Sequence, residues 1–233
     1  MVGNPPWNKP KGGRSTRQKS STTHVDYCAR QNPPVELPFR SPIDQAFIWR
    51  SRDFLKKDGR IGLILDTKNF FSQEDQSLKS KRQLFATLRP RAMVNLSALH
   101  NKGLFPSAEQ PAMVLVVENG ASRTGDEVVF TSAERSETFR KHGIVELFLE
   151  RLHRLPTERI ISEDLLLKIA AYGTPRDRAI MRGLFDQCDP LEAALEKTHL
   201  TLNTGFKRTA SDTPVPPELI GKPMLEAKKL PRF

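Results

Sequence analysis

Three short, predominantly apolar runs constrain the fold of this chain more than any other feature, and they cover residues 60–66, 92–96 and 112–117. The first run is too short for a helix and fits a strand buried on both faces of a parallel sheet. Residues 76–89 have the periodicity of a basic amphipathic helix. Its apolar side chains are Leu78, Leu84, Phe85 and Leu88. This alternation of strand and helix predicts an α/β sheet.

A further helix is predicted before the first strand. Ser41 is placed to cap it, Pro42 suits its first position, and Asp44 nearly completes a capping box. The pair Asp58-Gly59 is expected to end the helix. The face directed to the core is expected to contain Ile43, Ala46, Phe47 and Phe54.

The sequence divides into three segments of different character. Residues 1–133 contain the α/β pattern, with a long basic loop over residues 8–40 and a further edge strand expected at 128–130. Residues 134–200 are predicted to form a helical linker region. Residues 201–233 hold five prolines and little periodicity. The helical pattern is expected to break at Pro156, Gly173-Thr174-Pro175 and Asp189-Pro190.

Positive charge is concentrated near the amino terminus. The formal net charge is +10, and residues 1–40 carry seven basic against two acidic side chains, a net +5. A basic run interleaved with Gly, Ser and Thr predicts a loop that contacts phosphates, and a solvated tail is the alternative. The candidate contacts are Lys9, Lys11, Arg14, Arg17 and Lys19.

The sequence gives little support for a membrane protein or a metalloprotein. The chain has no apolar stretch of about 18 residues, as a transmembrane helix would need, and its start lacks an apolar signal region. Cys28 and Cys188 offer neither a disulfide framework nor zinc spacing, so a reducing cytoplasm is the expected location. His24, Asp26 and Cys28 are spaced like metal ligands, but an isolated cluster of this kind is usually incidental, and no metal is expected.

The motif that bears chemistry is Asn4-Pro5-Pro6-Trp7. It resembles the tetrapeptide of amino-methyltransferases, which methylate exocyclic NH2 groups. Such a nitrogen is a poor nucleophile because its lone pair is delocalised, and two acceptors on its N–H bonds, the Asn4 side chain and the Pro5 carbonyl, would free that lone pair. The prolines fix the turn, and Trp7 offers a stacking face worth about 1–3 kcal/mol.

Order and spacing make the resemblance more specific, because Asn32-Pro33-Pro34 proves that the shorter motif also occurs alone. After the tetrapeptide come a basic loop, a helix, and the turn 57–61 leading into the first strand. The segment Gly103-Leu104-Phe105-Pro106 then precedes the third strand. Over residues 1–120 the chain therefore resembles the N6-adenine DNA methyltransferases of restriction–modification systems, the Eco57I- and TaqI-like group.

This resemblance implies a partial Rossmann-like sheet that uses S-adenosylmethionine to methylate a flipped-out adenine in DNA. Asn4 and Pro5 would hold the target amino group, Trp7 would stack on one face of the base, and Phe105 would contact the other. Phe105 could instead be a core or loop-anchor aromatic. Asp66 at a strand end could face the cleft or cap a helix.

The main departure from the family concerns the methyl donor. In this group a glycine-rich loop and an acidic residue bind S-adenosylmethionine, and both lie before the tetrapeptide. Here Met1-Val2-Gly3 precedes it, and the chain contains no Gly-x-Gly. The expectation is a carboxyl-terminal half of a catalytic domain in residues 1–133 with the start of a target-recognition region in 201–233. It would be inactive unless a complementary amino-terminal fragment or a restriction subunit joins it; a truncation, a split enzyme and a miscalled start all stay open.

Two other functions remain open. An amino-methyltransferase acting on RNA or on a protein glutamine shares the tetrapeptide, but such enzymes usually end soon after the last strand, whereas about 115 residues follow residue 117 here. From a different class, the chain could be a non-catalytic, basic DNA-binding fragment.

Overall fold

The computed structural model describes residues 1–6, 23–38, 42–99, 104, 110–189 and 191–198. The chain divides into two compact units, residues 1–187 and 188–233. The first unit contains the whole sheet. In the second, the structure describes helix α9, Leu191–Lys197.

A six-stranded mixed sheet forms the centre of the first unit. Its strands are β1 (Val2–Gly3), β2 (Arg60–Asp66), β3 (Arg89–Asn95), β4 (Ala112–Glu118), β5 (Glu127–Ser132) and β6 (His153–Pro156), in the order β1-β2-β4-β3-β5-β6. β1, β2, β3 and β5 run in one direction, and β4 and β6 run in the other. The predicted α/β class is confirmed. The predicted parallel sheet is wrong in part, because an apolar run reveals burial and not strand direction.

Helices connect and cover these strands. They are α1 (residues 23–29), α2 (Ile43–Arg52), α3 (Lys68–Phe71), α4 (Asp75–Thr87), α5 (Glu137–His142), α6 (Thr157–Ser162), α7 (Leu166–Tyr172) and α8 (Pro175–Gln187). The predicted breaks at Pro156 and at Gly173–Pro175 are confirmed, since α6 and α8 begin there. None of the helices in the described ranges is long and apolar enough to span a membrane.

The two faces of the sheet are buried to different degrees. On one face, the odd-numbered apolar residues of β2 pack against helices α2, α4, α6 and α7 in one large core. Side chains without solvent contact there include Ile48, Ile61, Leu65, Phe85, Met93, Met113 and Phe130. Fully burying each such side chain stabilises the fold by roughly 1.5–3 kcal/mol. On the other face a smaller cluster around Leu99 and Phe139 leaves Ile64, Val94 and Val114 half-buried. The strands are therefore not buried equally on both faces.

Helix α2 differs from its prediction at both ends. It ends at Arg52 rather than near Asp58, and Phe54 lies beyond it with 66% of its surface exposed. The chain turns tightly just before β2. This turn needs glycine at position 59, because a Cβ there would approach the Lys56 carbonyl oxygen to 2.9 Å. Pro42 is the residue before the helix, without a side-chain cap, and Ser41 lies outside the described residues.

The predicted edge strand at 128–130 is an interior strand. Strand β6 pairs with it in antiparallel register, Phe130 with His153 and Val128 with Leu155. β6 escaped prediction because four residues of mixed polarity give no periodic signal. The division into catalytic, linker and recognition segments remains a prediction.

At the edge where β2 begins, Glu118 holds three strands together. It lies in register between Arg60 of β2 and Arg89 of β3. Its carboxylate is 3.2 Å from Arg60 Nε and 2.5 Å from Arg89 Nη1, and Arg89 Nε lies 2.9 Å from Asp126. Burial alone would raise the pKa of Glu118, but the hydrogen bond from Arg60 and the charges of Arg91 and Arg89 lower it. This edge is a closed ion-pair network, and we call it the ion-paired edge.

Candidate active site

The tetrapeptide leaves the sheet at the opposite edge, where β1, β2, β3 and β5 end. β1 pairs in parallel with β2, Val2 with Gly62 and Gly3 with Leu63, and the Gly62 N–H donates to the Met1 carbonyl at 2.9 Å. Gly3 lies tightly on β2, because a Cβ there would come within 3.2 Å of the Leu63 side chain. Asn4 therefore emerges beside the last residues of β2, at what we call the carboxyl edge.

Within the tetrapeptide the two acceptor residues differ in exposure. Asn4 is exposed, whereas Pro5 is buried. The fixed φ of proline and this burial hold the Pro5 backbone, while Asn4 is accessible to solvent. An acceptor pair with one rigid and one accessible member is suited to receiving an amino group from outside the protein.

Two carboxyl groups meet where β2 ends. Asp44 in α2 is fully buried, and its Oδ2 accepts hydrogen bonds from the Asp66 backbone N–H at 3.1 Å and from Gln45 Nε2 at 3.2 Å. Asp66 Oδ1 accepts from the Lys68 N–H at 2.9 Å. Asp44 thus fixes the end of β2 instead of completing the predicted capping box. The helix-cap interpretation of Asp66 gains support from its bond to Lys68 in α3.

Burial raises the pKa of both groups. The pKa of Asp44 rises to about 6, because burial outweighs the hydrogen bonds from Asp66 and Gln45. The pKa of Asp66 is raised for the same reason, with the Lys68 N–H and ammonium opposing the shift. A buried carboxyl that titrates near neutral pH therefore lies directly beneath the carboxyl edge.

A chain of polar side chains continues along this edge from β2 to β5. The Ser97 hydroxyl donates to Asn95 Oδ1 at 2.6 Å and lies 3.3 Å from Thr67 Oγ1. Asn95 Nδ2 donates to Ser132 Oγ at 3.1 Å, and Ser132 donates to the Ala171 carbonyl at 3.0 Å. This network ties the ends of β2, β3 and β5 to α7.

The connection between β3 and β4 crosses the same edge. It is anchored by the Thr67 N–H, which donates to the Pro111 carbonyl at 3.0 Å, and by Leu104, which packs against the cluster around Leu99. Phe105, the predicted second stacking residue, follows Leu104 directly but lies outside the described residues. Leu104 and Pro111, two described residues on either side of this position, therefore lie at the carboxyl edge.

Several predicted site residues lie outside the described residues. They are Trp7, Lys9, Lys11, Arg14, Arg17 and Lys19. Among the described residues, no group of three or more His, Cys, Asp or Glu could hold a metal ion. Cys28 is buried, and burial raises the pKa of its thiol to about 11, so it would not readily act as a thiolate ligand.

Among the described residues, the segments that follow β1 and β2 do not fit S-adenosylmethionine. Two strands leave the sheet side by side at this edge, and the segments after them are Asn4-Pro5-Pro6 and 66–68. Neither supplies the glycine-rich turn that lets backbone approach such a ligand. Gly3 is committed to packing on Leu63.

Sequence reasoning missed the polar network and the role of Asp44. Thr67, Asn95 and Ser97 each lie at or just after a predicted strand, which is where ligand-facing residues of α/β sheets occur. That position was the available signal. The pairing of Asp44 with Asp66 had no sequence signal, because the two residues lie on different elements.

A model of the family described as N-6 DNA Methylase matches residues 1–155. No curated protein matches the chain in a sequence search.

Several solved structures match the chain at low sequence identity. The type IIG restriction endonuclease BpuSI is 14% identical with a TM-score of 0.46, covering 70% of this chain and 20% of that one. A type I restriction-modification methyltransferase subunit from Streptococcus thermophilus is 16% identical with a TM-score of 0.40, covering 70% and 35%. A modification subunit of a putative type I restriction enzyme from Vibrio vulnificus is 14% identical with a TM-score of 0.39, covering 58% and 25%. The chain thus spans between a fifth and about a third of the length of these structures.

Proposed function

The chain belongs to the N-6 DNA Methylase family, and from this premise we propose that it methylates the N6 amino group of adenine in DNA. The adenine is turned out of the duplex, because its amino group cannot otherwise be reached. S-adenosylmethionine is the proposed donor. The observation that carries the proposal is the emergence of exposed Asn4 and buried Pro5 at the carboxyl edge.

Asn4 and Pro5 act on the reacting nitrogen. The Asn4 amide oxygen and the Pro5 carbonyl each accept a hydrogen bond from one N–H of the amino group. These two hydrogen bonds free the lone pair of the nitrogen for attack. Pro6 stiffens this turn. Trp7 and Phe105 are the proposed stacking residues on the two faces of the base. Since these acceptors matter most as the nitrogen changes geometry, they contribute mainly in the transition state.

The basic loop after the tetrapeptide is the proposed DNA contact. It follows directly on the residues that would meet the base, and its five cationic side chains would neutralise phosphates. Each contact contributes about −0.9 to the slope of log K against log salt. Neutralising all five is expected to flatten this slope, and an unchanged slope would favour the solvated-tail alternative. The five are Lys9, Lys11, Arg14, Arg17 and Lys19.

We further propose that residues 1–233 alone are inactive and that the donor site includes residues from an amino-terminal methyltransferase fragment or from a restriction subunit. The observation that supports this is that, among the described residues, the segments after β1 and β2 lack the glycine-rich turn that the donor needs. A low-micromolar affinity of the purified, monomeric chain for S-adenosylmethionine in calorimetry would contradict the proposal.

The chain itself contains a matched control for the central experiment. Asn4→Ala and Asn32→Ala remove the same side chain from two Asn-Pro-Pro segments, and both asparagines are exposed. In enzyme reconstituted with a complementary fragment, Asn4→Ala is expected to lower kcat about 10²–10³-fold, as removal of one such polar group does elsewhere. Asn32→Ala should leave kcat unchanged.

The readout is N6-methyladenine in digested DNA, measured by mass spectrometry. More than about a tenth of wild-type kcat in Asn4→Ala would contradict the assigned role. Methylation of an RNA or of a protein glutamine in place of DNA would establish the alternative substrates. DNA binding without any methyl transfer in the reconstituted enzyme would favour a non-catalytic fragment.

A further inference from the structure

A trough of about 540 Å³, lined by polar side chains together with Phe71 and Pro111, lies on the carboxyl edge, away from β1. Its floor is formed by Thr67 after β2, Ser97 after β3 and Pro111 before β4. Helix α3, the start of α4 and the end of α7 form its walls. Neighbouring strands are about 4.8 Å apart, so the trough begins one strand from Asn4 and extends roughly 5 to 20 Å along the edge.

Two lysines border the trough, Lys68 and Lys168. Lys68 in α3 and Lys168 in α7 are exposed, and neither forms a salt bridge within the part of the chain that the structure describes. Asp66, two positions before Lys68, interacts with it electrostatically, and burial raises the pKa of the Asp66 carboxyl. Among the described lining residues the one acid is Glu74. The trough therefore favours an anion.

Tyr172 lies outside the core, where its side chain is accessible to a ligand. Its carbonyl accepts a hydrogen bond from Arg151 at 3.0 Å, and the carbonyl of Ala171 accepts one from Ser132 at 3.0 Å. The backbone is thus fixed on both sides, while 78% of the residue surface is exposed. Lys168 is one helical turn before Tyr172, so both side chains lie on the same face of α7.

The remaining polar lining has the composition of a nucleic-acid backbone site. Besides the two lysines it presents hydroxyl and amide side chains, namely Thr67, Asn69, Ser72, Ser97 and Tyr172. Lysine, serine, threonine, asparagine and tyrosine are the side chains that contact phosphate and sugar oxygens in protein–DNA complexes. The two lysines of this lining can each contact a phosphate of a nucleic-acid backbone.

We propose that this trough binds the sugar-phosphate backbone of the DNA strand that carries the target base, a few nucleotides from that base. The proposal rests on the function proposed above, because the strand is placed by a base held at Asn4. Lys68 and Lys168 contact phosphates, and Tyr172 packs on a sugar or donates its hydroxyl to a phosphate. This contact is separate from the basic loop and fixes the direction in which the strand leaves the active site.

The test compares the two lysines that line the trough with two lysines just before β2. Lys68→Ala with Lys168→Ala removes the trough cations. Lys56→Ala with Lys57→Ala removes two exposed cations just before β2, at the ion-paired edge. Both double variants of the full chain lose the same charge, and all four side chains are exposed, so folding should be unaffected.

Binding to a fluorescent DNA duplex is measured by anisotropy between about 50 and 200 mM salt. The trough variant is expected to lower the slope of log K against log salt by about 1.8 and the affinity at the lowest salt by about tenfold or more. The control variant should leave both unchanged. Equal effects of the two variants, an unchanged slope in the trough variant, or a wild-type chain that does not bind DNA would each overturn the proposal.

An RNA duplex of the same sequence is the second probe. Weaker binding of RNA, with no difference between wild type and trough variant, supports a DNA strand. Binding of RNA as tight as that of DNA, lost in the trough variant, overturns the DNA assignment. These binding results do not depend on catalysis, so a failure of the Asn4→Ala experiment and a failure of the trough can be told apart.

Discussion

The two ends of strand β2 differ in how their charged and polar side chains are paired. At the ion-paired edge, Arg60, Glu118 and Arg89 lie in register and satisfy one another. At the carboxyl edge, uncharged polar groups are linked by hydrogen bonds, a buried carboxyl has a raised pKa, and two lysines have no ion-pair partner among the described residues. The first arrangement uses its charges internally for stability. The second leaves charge and hydrogen-bonding capacity for something outside the chain.

The largest change in stability is expected from a substitution that disrupts the ion-paired edge. Glu118→Ala leaves Arg89 buried without its main partner, and loss of one member of a buried pair typically costs about 3–5 kcal/mol. We expect a loss of about 3 kcal/mol in the free energy of unfolding, measured by urea denaturation. Glu127→Ala is the control, since its pair with Arg154 is exposed and spans 3.8 Å. It should cost less than about 0.5 kcal/mol. Similar losses in both variants would contradict the comparison.

The next effect tests the buried carboxyl of the carboxyl edge. Because the folded-state pKa of Asp44 lies above its ordinary value, near 6 against 3.8, the folded protein holds the proton more tightly. The group's stabilising contribution is therefore present at low pH and is lost as pH rises from about 4 through 6.

Asp44→Asn removes this titration and keeps an oxygen for the Asp66 N–H. The change in unfolding free energy between pH 4.5 and 7.5 should differ between wild type and variant by on the order of 2 kcal/mol. This difference does not depend on the absolute stability of the variant. Parallel pH profiles would show that Asp44 is ionised throughout.

A smaller effect is expected from the polar network itself. Asn95→Ala removes the donor to Ser132 and the acceptor of Ser97, which costs about 1–2 kcal/mol, since neutral hydrogen bonds are each worth about 1. Activity of the reconstituted enzyme should fall further than stability explains, because the segment carrying Phe105 begins there. Ser122→Ala breaks a comparable bond to the Phe85 carbonyl away from this edge. It should lower stability without lowering kcat.

The smallest expected change in stability belongs to Tyr172. Tyr172→Ala removes an exposed ring and should change the free energy of unfolding by less than about 0.5 kcal/mol. Affinity for DNA should nonetheless fall about fivefold, corresponding to the lower end of aromatic contacts with nucleic acid. Tyr172→Phe separates ring from hydroxyl, and full affinity in that variant assigns the contact to the ring. Unchanged affinity in Tyr172→Ala would remove this residue from the trough.

Sequence alone predicted the elements of this fold better than their arrangement. The apolar runs at 60–66, 92–96 and 112–117 correspond to β2, β3 and β4, because buried strands have mostly apolar sequences. The direction of β4 and the existence of β6 have no comparable sequence signal. The tetrapeptide was readable because its chemistry lies within four consecutive residues. The trough was not, since Lys68 and Lys168 are a hundred positions apart and meet only through packing.

The insertion of β4 between β2 and β3 also sets an order for folding. Asn95 pairs with Met113, eighteen positions along the chain, whereas Asp66 pairs with Ala112 across forty-six. Closing the longer loop costs about 0.8 kcal/mol more in chain entropy. The β3–β4 hairpin is therefore expected to form first and to serve as the template on which β2 docks. Substitutions within that hairpin should slow refolding, whereas equal substitutions in β2 should mainly accelerate unfolding, a distinction that stopped-flow kinetics resolves.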